Sequence, residues 1–241
     1  MSKKSGRPFA VFDIDGTLIR WQLYHAIADG LAKRGQIDER SYQAIKDARM
    51  VWKRRAHSES FRAYQSRLVE IYEDMLRQLS TDDFARAVNG VFKEYKDQVY
   101  TYTRDLIQRL KKDGYWLFAI SGSQIEIVAK IAKYYGFDEF VGTTYVQKAG
   151  KFTGEAIFAF DKKDKLLKDM VKKYGASWKG SVAVGDTVTD IAMLELVEKP
   201  IAFNPESRLF EHARKAGWKI VIERKNMVYE LEREDGKYLL A

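Results

Sequence analysis

The chain has 241 residues, 46% hydrophobic and 32% charged, enough to bury the core of one large domain or of a domain with a sizeable insert. Its 42 Lys and Arg against 34 Asp and Glu give a formal charge of +8, which suits an anionic substrate or surface without naming one. With no cysteine, disulfides, thiolate metal sites and cysteine nucleophiles are excluded, and no window approaches the ~18 apolar residues of a membrane span. The basic start, MSKKSGRP, meets an apolar run that Asp13 breaks after a few residues, too soon for a secretory signal, so a cytoplasmic protein without a membrane partner is expected.

Residues 9–15, FAVFDID, read as a short strand with few polar side chains before its end, the pattern of a parallel strand covered on both faces. From Arg20 to about Val99 no strand-like run appears, and apolar residues such as Tyr64, Leu68, Ile71, Tyr72 and Met75 recur at helical spacing. This block is too long for a single crossover and predicts an inserted helical domain over 20–99, leaving 1–19 and 100–241 for the main domain. Strand-like runs return at YWLFAIS (115–121), SVAVGD (181–186) and PIAFN (200–204), with helical patterns over 124–135, 163–174 and 191–197. The segment TTYVQKAGKFTGEAIF, 143–158, reads as a hairpin turning at Ala149, Gly150 and Lys151. Strands alternating with helices predict an α/β fold, a doubly wound parallel sheet carrying a helical insert.

Three of these strands end in polar, small-residue clusters: Asp13-Ile14-Asp15-Gly16-Thr17, Ser121-Gly122-Ser123, and Gly185-Asp186-Thr187 with Asp190 close behind. Ligands of open α/β sheets bind at the carboxyl ends of the strands, so the clusters should converge on one crevice. Asp13, Asp15, Asp186 and Asp190 brought together would repel and resist ionising unless a cation joined them. Carboxylate oxygens without histidine or cysteine select Mg2+, which takes a substrate phosphate as a further ligand. One of Lys162, Lys163 and Lys165, with a Ser121-Gly122 turn at a helix start, could hold the phosphate's other oxygens. Together these groups describe phosphoryl transfer.

With DIDGT at 13–17, SGS at 121–123, a lysine heading the helix from 163 and GDTVTD at 185–190, in that order, the sequence resembles the haloacid dehalogenase (HAD) superfamily of phosphohydrolases, in its phosphoserine phosphatase-like branch. The resemblance covers 9–19 and about 100–223. It implies an HAD-like core in which Asp13 forms an aspartyl phosphate while Asp15 protonates the leaving alcohol and then activates water. It implies Mg2+ held by Asp13, the backbone carbonyl of Asp15 and Asp186, with Asp190 orienting that shell. Ser121, the Gly122 amide and Lys163 would hold the phosphoryl oxygens, Lys163 being chosen by its distance before Gly185-Asp186. The 20–99 insert would be a helical cap that restricts the substrate to a small phosphorylated metabolite.

Two departures bear on that substrate. Phosphoserine phosphatases carry a glutamate shortly after the first motif for the substrate ammonium, where this chain has the neutral Gln22, and they continue Gly-Phe where it has Ser123-Gln124. Arg62 or Arg67 could take a substrate carboxylate, and Glu59 could replace the missing acid. The expected function is Mg2+-dependent hydrolysis of a small phosphomonoester, with phosphoserine phosphatase proper and an aspartate-based phosphotransferase as alternatives. The features also have plainer readings: Asp-x-Asp-Gly can simply end a strand, and most of the 162–173 lysines and Lys53-Arg54-Arg55 suit solvated helix faces. Trp21, Tyr24, Trp52, Tyr64 and Tyr72 suit a core, and a lone His25 is usually structural. A nucleic-acid-binding scaffold would set four aspartates beside phosphates without purpose, so no nucleic-acid partner is expected.

Overall fold

Four residues without a polar side chain, Phe9 to Phe12, can be buried on both faces only at the centre of a sheet, and that is where the computed structural model of the protein places them. The structure describes residues 6–57 and 59–240, so the basic residues before Gly6 lie outside the described chain. Strand β1 (Pro8–Phe12) leads into helices α1 (Leu23–Lys33), α2 (Glu39–Lys53), α3 (Ser60–Leu76) and α4 (Thr81–Tyr95). Then come α5 (Thr101–Lys112), β2 (Trp116–Gln124), α6 (Ile125–Tyr135), β3 (Glu139–Lys148), β4 (Lys151–Ile157), α7 (Lys163–Tyr174) and β5 (Ser177–Gly185). A 3-10 turn at Val188–Asp190 runs into α8 (Ile191–Leu194), followed by β6 (Lys199–Phe203), α9 (Ser207–Ala216), β7 (Lys219–Arg224), β8 (Met227–Glu234) and β9 (Lys237–Leu240). The chain divides into two compact units, one made of the chain up to Gln22, Tyr95–Thr143 and the part from Phe158 on, the other of Leu23–Glu94 and Thr144–Ile157.

In the first unit the strands run in the order β3-β2-β1-β5-β6-β7-β8-β9. They are parallel from β3 to β7, and β8 and β9 are antiparallel. One face packs Phe9, Val11, Phe118 and Ile120 against Leu167 and Met170 of α7 and Leu209 of α9. The opposite face is covered by α5 and α6, which bury Leu106, Ile107, Ile127 and Ile131. The doubly wound core expected from sequence is present, but its sheet is mixed rather than wholly parallel. Strand β8 mixes Glu230, Glu232, Arg233 and Glu234 into its apolar positions, which hides a strand period, and its turn to β9 is a two-residue loop with both φ positive, at Asp235 (48°) and Gly236 (78°). The helix expected over 191–197 stops at Leu194, because the Leu196 and Val197 amides reach back only three residues, to Met193 and Leu194.

Helix α5 starts at Tyr100 without a side-chain cap of its own. Glu223 of β7, only 6% exposed, supplies one from across the chain: its two oxygens accept the Thr101 and Tyr102 amides at 3.0 and 2.9 Å, and its own amide donates to Asn204 Oδ1 at 2.8 Å. A carboxylate on orphan N-terminal amides is favoured by charge as well as by hydrogen bonding. Glu223→Ala should therefore cost about 2 kcal/mol in denaturant unfolding and Glu223→Gln distinctly less. A loss within a few tenths of a kcal/mol for Glu223→Ala would show that the latch carries no stability.

The second unit is built on amphipathic helices. Tyr64, Leu68, Ile71, Tyr72 and Met75 of α3 are buried, as their spacing predicts, and Asp38 caps α2 by accepting the Ser41 amide at 2.9 Å. Arg49 grips Asp29 through two nitrogens at 2.9 and 2.8 Å and donates to the Tyr64 hydroxyl at 2.9 Å. His25 lies buried 4.5 Å from the Tyr64 ring, and burial, reinforced by the Arg49 charge, lowers its pKa to about 3. It is a neutral core histidine, in line with its plainer reading. The hairpin joins the end of β3 to β4 with Lys148 opposite Lys151 and positive φ at Ala149 and Gly150. Among the described residues no helix is long and apolar enough to cross a membrane.

Candidate active site

The β1 ladder runs one residue past the strand, with the Asp13 amide on the Val184 carbonyl at 3.0 Å, and the chain then turns back as the Leu18 and Ile19 amides reach the Ile14 carbonyl. Gly16 sits at φ +77° in this turn, and a Cβ there would stand 2.2 Å from Asp186 Oδ2 and 3.3 Å from the Gln22 amide nitrogen. Only glycine lets the first motif close on the end of β5. Thr17, fully buried, donates to Asp186 Oδ1 at 3.1 Å. Asp190 Oδ2 accepts the amides of Asp186 and Thr187 at 3.1 and 2.9 Å and the Thr187 hydroxyl at 3.2 Å, so its carboxylate shapes the loop that carries Asp186.

Lys163 opens α7 and is 2% exposed, its Nζ at 2.6 Å from both Asp13 Oδ1 and Asp190 Oδ1. Lys162 and Lys165 are exposed, which leaves Lys163 as the one of the three at the aspartates. Oxygens of Asp13, Asp186 and Asp190 all lie within 4.8 Å of one another. Burial pushes the Asp13 carboxyl up to about 8; Lys163 pulls it back, while Asp190 and Asp15 add to the rise. Burial, then Asp13 and Asp190, hold Asp186 well above the usual carboxylate range. Burial opposes charge on Lys163 as well, but the two carboxylates outweigh it and keep its ammonium protonated. One buried lysine among the buried Asp13 and Asp190 and the half-buried Asp186 leaves the cluster short of positive charge.

Strand β2 brings the second cluster to Asp15. Ser121 Oγ donates to Asp15 Oδ2 at 2.7 Å, Ser123 Oγ donates to Asp15 Oδ1 at 2.9 Å, and the Ser123 amide donates to Ser121 Oγ at 2.9 Å. Gly122 lies between them, its carbonyl accepting the Thr143 hydroxyl at 2.7 Å. The expected turn at Ser121-Gly122 is not formed: the chain stays extended through Gln124 and the helix begins at Ile125. Extension is what sets the two hydroxyls on one side, since residues two apart in a strand share a face. Ser123, read from sequence only as a departure from the second motif, is thus a site residue that the sequence reading missed, and the alternation Ser-x-Ser was its signal.

Gln22 borders the Gly16 turn, as its amide contact there shows. Arg62, Arg67 and Glu59 are exposed on or beside α3, with Arg62 3.6 Å from Glu59 and Arg67 2.6 Å from Glu70. The acid that meets the buried aromatics of the second unit is Glu73, which accepts the Tyr145 hydroxyl at 3.3 Å; that hydroxyl in turn accepts the Tyr24 hydroxyl at 3.1 Å.

The model of the haloacid dehalogenase-like hydrolase family matches residues 10–195, which contain every one of these clusters. The chain belongs to that family. Within it, the chain is 25% identical over 217 residues to the phosphoserine phosphatase SerB1 of Mycobacterium tuberculosis, covering 88% of this chain and 69% of that protein. It is 24% identical over 230 residues to the histidinol-phosphatase of Neisseria meningitidis serogroup C, covering 88% and 97%. A solved structure of a phospho-aspartyl intermediate analogue of phosphoserine phosphatase superposes with a TM-score of 0.64 at 23% identity, over 92% of this chain and 95% of that one, and shares its fold. The protein is therefore an HAD-family hydrolase, and these two relatives are named as phosphatases.

Proposed function

We propose that the protein is a Mg2+-dependent phosphatase that hydrolyses a small organic phosphomonoester through an aspartyl phosphate on Asp13. The observation that carries this reading is the close cluster of the buried Asp13 and Asp190 and the half-buried Asp186 with a single lysine. Three carboxylates packed this closely, two of them with raised pKa values, fit an oxygen-ligated divalent cation. Asp13, Asp186 and the Asp15 carbonyl would hold it, and Asp190, whose oxygens are engaged by Lys163 and by backbone amides, would orient them. The cation, when bound, neutralises the aspartates and the phosphate that must approach them.

The remaining chemistry belongs to the chain. Asp13 attacks phosphorus and the ester bond breaks, with the leaving oxygen taking a proton from Asp15; Asp15, now ionised, then takes a proton from the water that attacks the acyl phosphate. Lys163 spends two of its three N–H donors on Asp13 and Asp190, which leaves one for a phosphoryl oxygen, beside Ser121 and the Gly122 amide. The insert after the first motif, 20–99, is read as a cap from its place in the chain, which favours a small metabolite.

Relatives named for different substrates leave the alcohol open, and Gln22 argues against an ammonium beside the phosphate. A charge-assisted hydrogen bond is worth roughly twice a neutral one, on the order of 1.5–3 kcal/mol, so phosphoserine should be a poorer substrate than amine-free phosphates of similar size by about ten- to a hundredfold in kcat/KM. A panel of phosphometabolites assayed with Mg2+ for released phosphate tests both points. Inactivity across the panel would overturn the phosphatase reading, and strong preference for phosphoserine would establish the phosphoserine phosphatase alternative. Gln22→Glu should shift the preference toward phosphoserine. Phosphate recovered on an acceptor alcohol instead of in solution would indicate a phosphotransferase.

A further inference from the structure

We infer that Ser123 is a positioning residue that holds the Asp15 carboxyl for proton transfer to the leaving alcohol, which leaves Ser121 for the phosphoryl group. This rests on the phosphatase reading of Asp15. The two oxygens of Asp15 are gripped separately, Oδ2 by Ser121 and Oδ1 by Ser123, and both serines are buried on the extended end of β2.

The argument is one of hydrogen count. A serine hydroxyl has one hydrogen to donate. In this structure the hydrogen of Ser121 goes to Asp15, while its oxygen accepts the Ser123 amide, which fixes the hydroxyl's direction. Once Ser121 donates to a phosphoryl oxygen it can no longer donate to Asp15, whereas Ser123 still can. Ser123 on Oδ1 favours the tautomer with the proton on Oδ2, the oxygen from which Ser121 has withdrawn. As Asp13 attacks and the phosphorus–oxygen ester bond breaks, the electron pair passes to the alcohol oxygen. That oxygen takes the Oδ2 proton, and the resulting Asp15 carboxylate keeps the Ser123 hydrogen bond.

A good leaving group needs little protonation and a poor one needs it fully, so the role has a readout that packing alone would not move. The term kcat/KM covers the steps up to departure of the alcohol. Ser123→Ala should lower kcat/KM for glycerol 2-phosphate, an alkyl ester, by about tenfold or more, a fraction of the 100- to 10,000-fold that general acid catalysis supplies. For 4-nitrophenyl phosphate the loss should stay within about threefold. Ser123→Thr, which keeps the hydroxyl, should restore the alkyl ester, and adding Ser123→Ala to Asp15→Asn should cost nothing further. Equal losses on the two esters, or no loss on the alkyl ester, would overturn the assignment. A wild type inert toward both esters would remove the phosphatase reading and this role with it.

Discussion

Asp13→Asn should lower turnover of 4-nitrophenyl phosphate by about 10,000-fold or more while leaving the fold intact, since an amide cannot form the acyl phosphate and loss of a nucleophile costs a hydrolase on that order. Geometry makes the variant a clean test. Asp13 is buried with its carboxyl pushed up to about 8, so at pH 7 without metal it is mostly neutral already, and asparagine copies that state in shape and charge. Lys163 keeps its bond to Asp190, which avoids stranding an unpaired buried ammonium. Asparagine needs no proton taken up on folding, so the melting temperature of the chelated protein at pH 7 should rise rather than fall, and circular dichroism should be unchanged. Turnover within tenfold of the wild type would refute covalent catalysis at Asp13. Acid-quenched wild type should carry phosphate on the Asp13 peptide, and the variant should not.

How far the site was legible follows from the kind of signal each residue gives. Asp13, Asp186 and Asp190 stand at the ends of two strongly apolar strands, where topology alone brings them together, and the structure places their oxygens within 4.8 Å. Lys163 was one of three candidates, because a lysine's burial is decided by which side of a helix faces the sheet, and one residue either way turns the side chain about 100°. Ser123 was missed because the reading ended the strand at Ser121; once β2 runs on to Gln124, period-two alternation delivers the second hydroxyl. The strands β8 and β9 were missed for a related reason: they lie at the edge of the sheet, half in water, and their charged residues carry no apolar run. In the second unit the helical periodicity of α3 was plain, but the acid among the aromatics is Glu73, whereas Glu59 is exposed beside Arg62. Which acid on a helix turns inward depends on packing between helices, which a single sequence does not carry.

Magnesium should raise the melting temperature by roughly 5–10 °C at pH 7 when present at about a hundred times its Kd there, the shift expected from about 2.7 kcal/mol of linkage in a protein of this size, and at that same Mg2+ concentration the gain should grow as pH rises from 7 to 9. The direction follows from the aspartates. In the chelated protein the folded-state pKa of Asp13 is raised from 3.8 to about 8 and that of Asp186 is raised well above 3.8, so the folded state holds protons that the unfolded chain has released. Their contribution to stability is fully present below about 4 and is lost as pH rises through about 8. Chelated protein should accordingly melt at progressively lower temperature across pH 7–9. His25, with its pKa lowered to about 3, is neutral in the folded chain and only partly protonated in the unfolded chain at pH 7, so its small contribution runs against the trend and vanishes by pH 8. A metal ion needs these carboxylates ionised, so its binding displaces the protons and strengthens with pH, and the metal-loaded protein should lose less stability over the same range. Asp186→Asn should flatten both trends: it removes one of the repelling carboxylates, which raises the melting temperature in EDTA, and it removes a ligand, which abolishes most of the Mg2+ shift. Calcium should also protect against melting but support little turnover, because its longer bonds and higher coordination number misplace Asp13 relative to phosphorus. Thermal melts in EDTA, Mg2+ and Ca2+ at pH 7, 8 and 9, run beside phosphate-release assays, decide the matter. A Mg2+ shift that is absent, or that survives Asp186→Asn unchanged, would place the metal elsewhere than at this cluster.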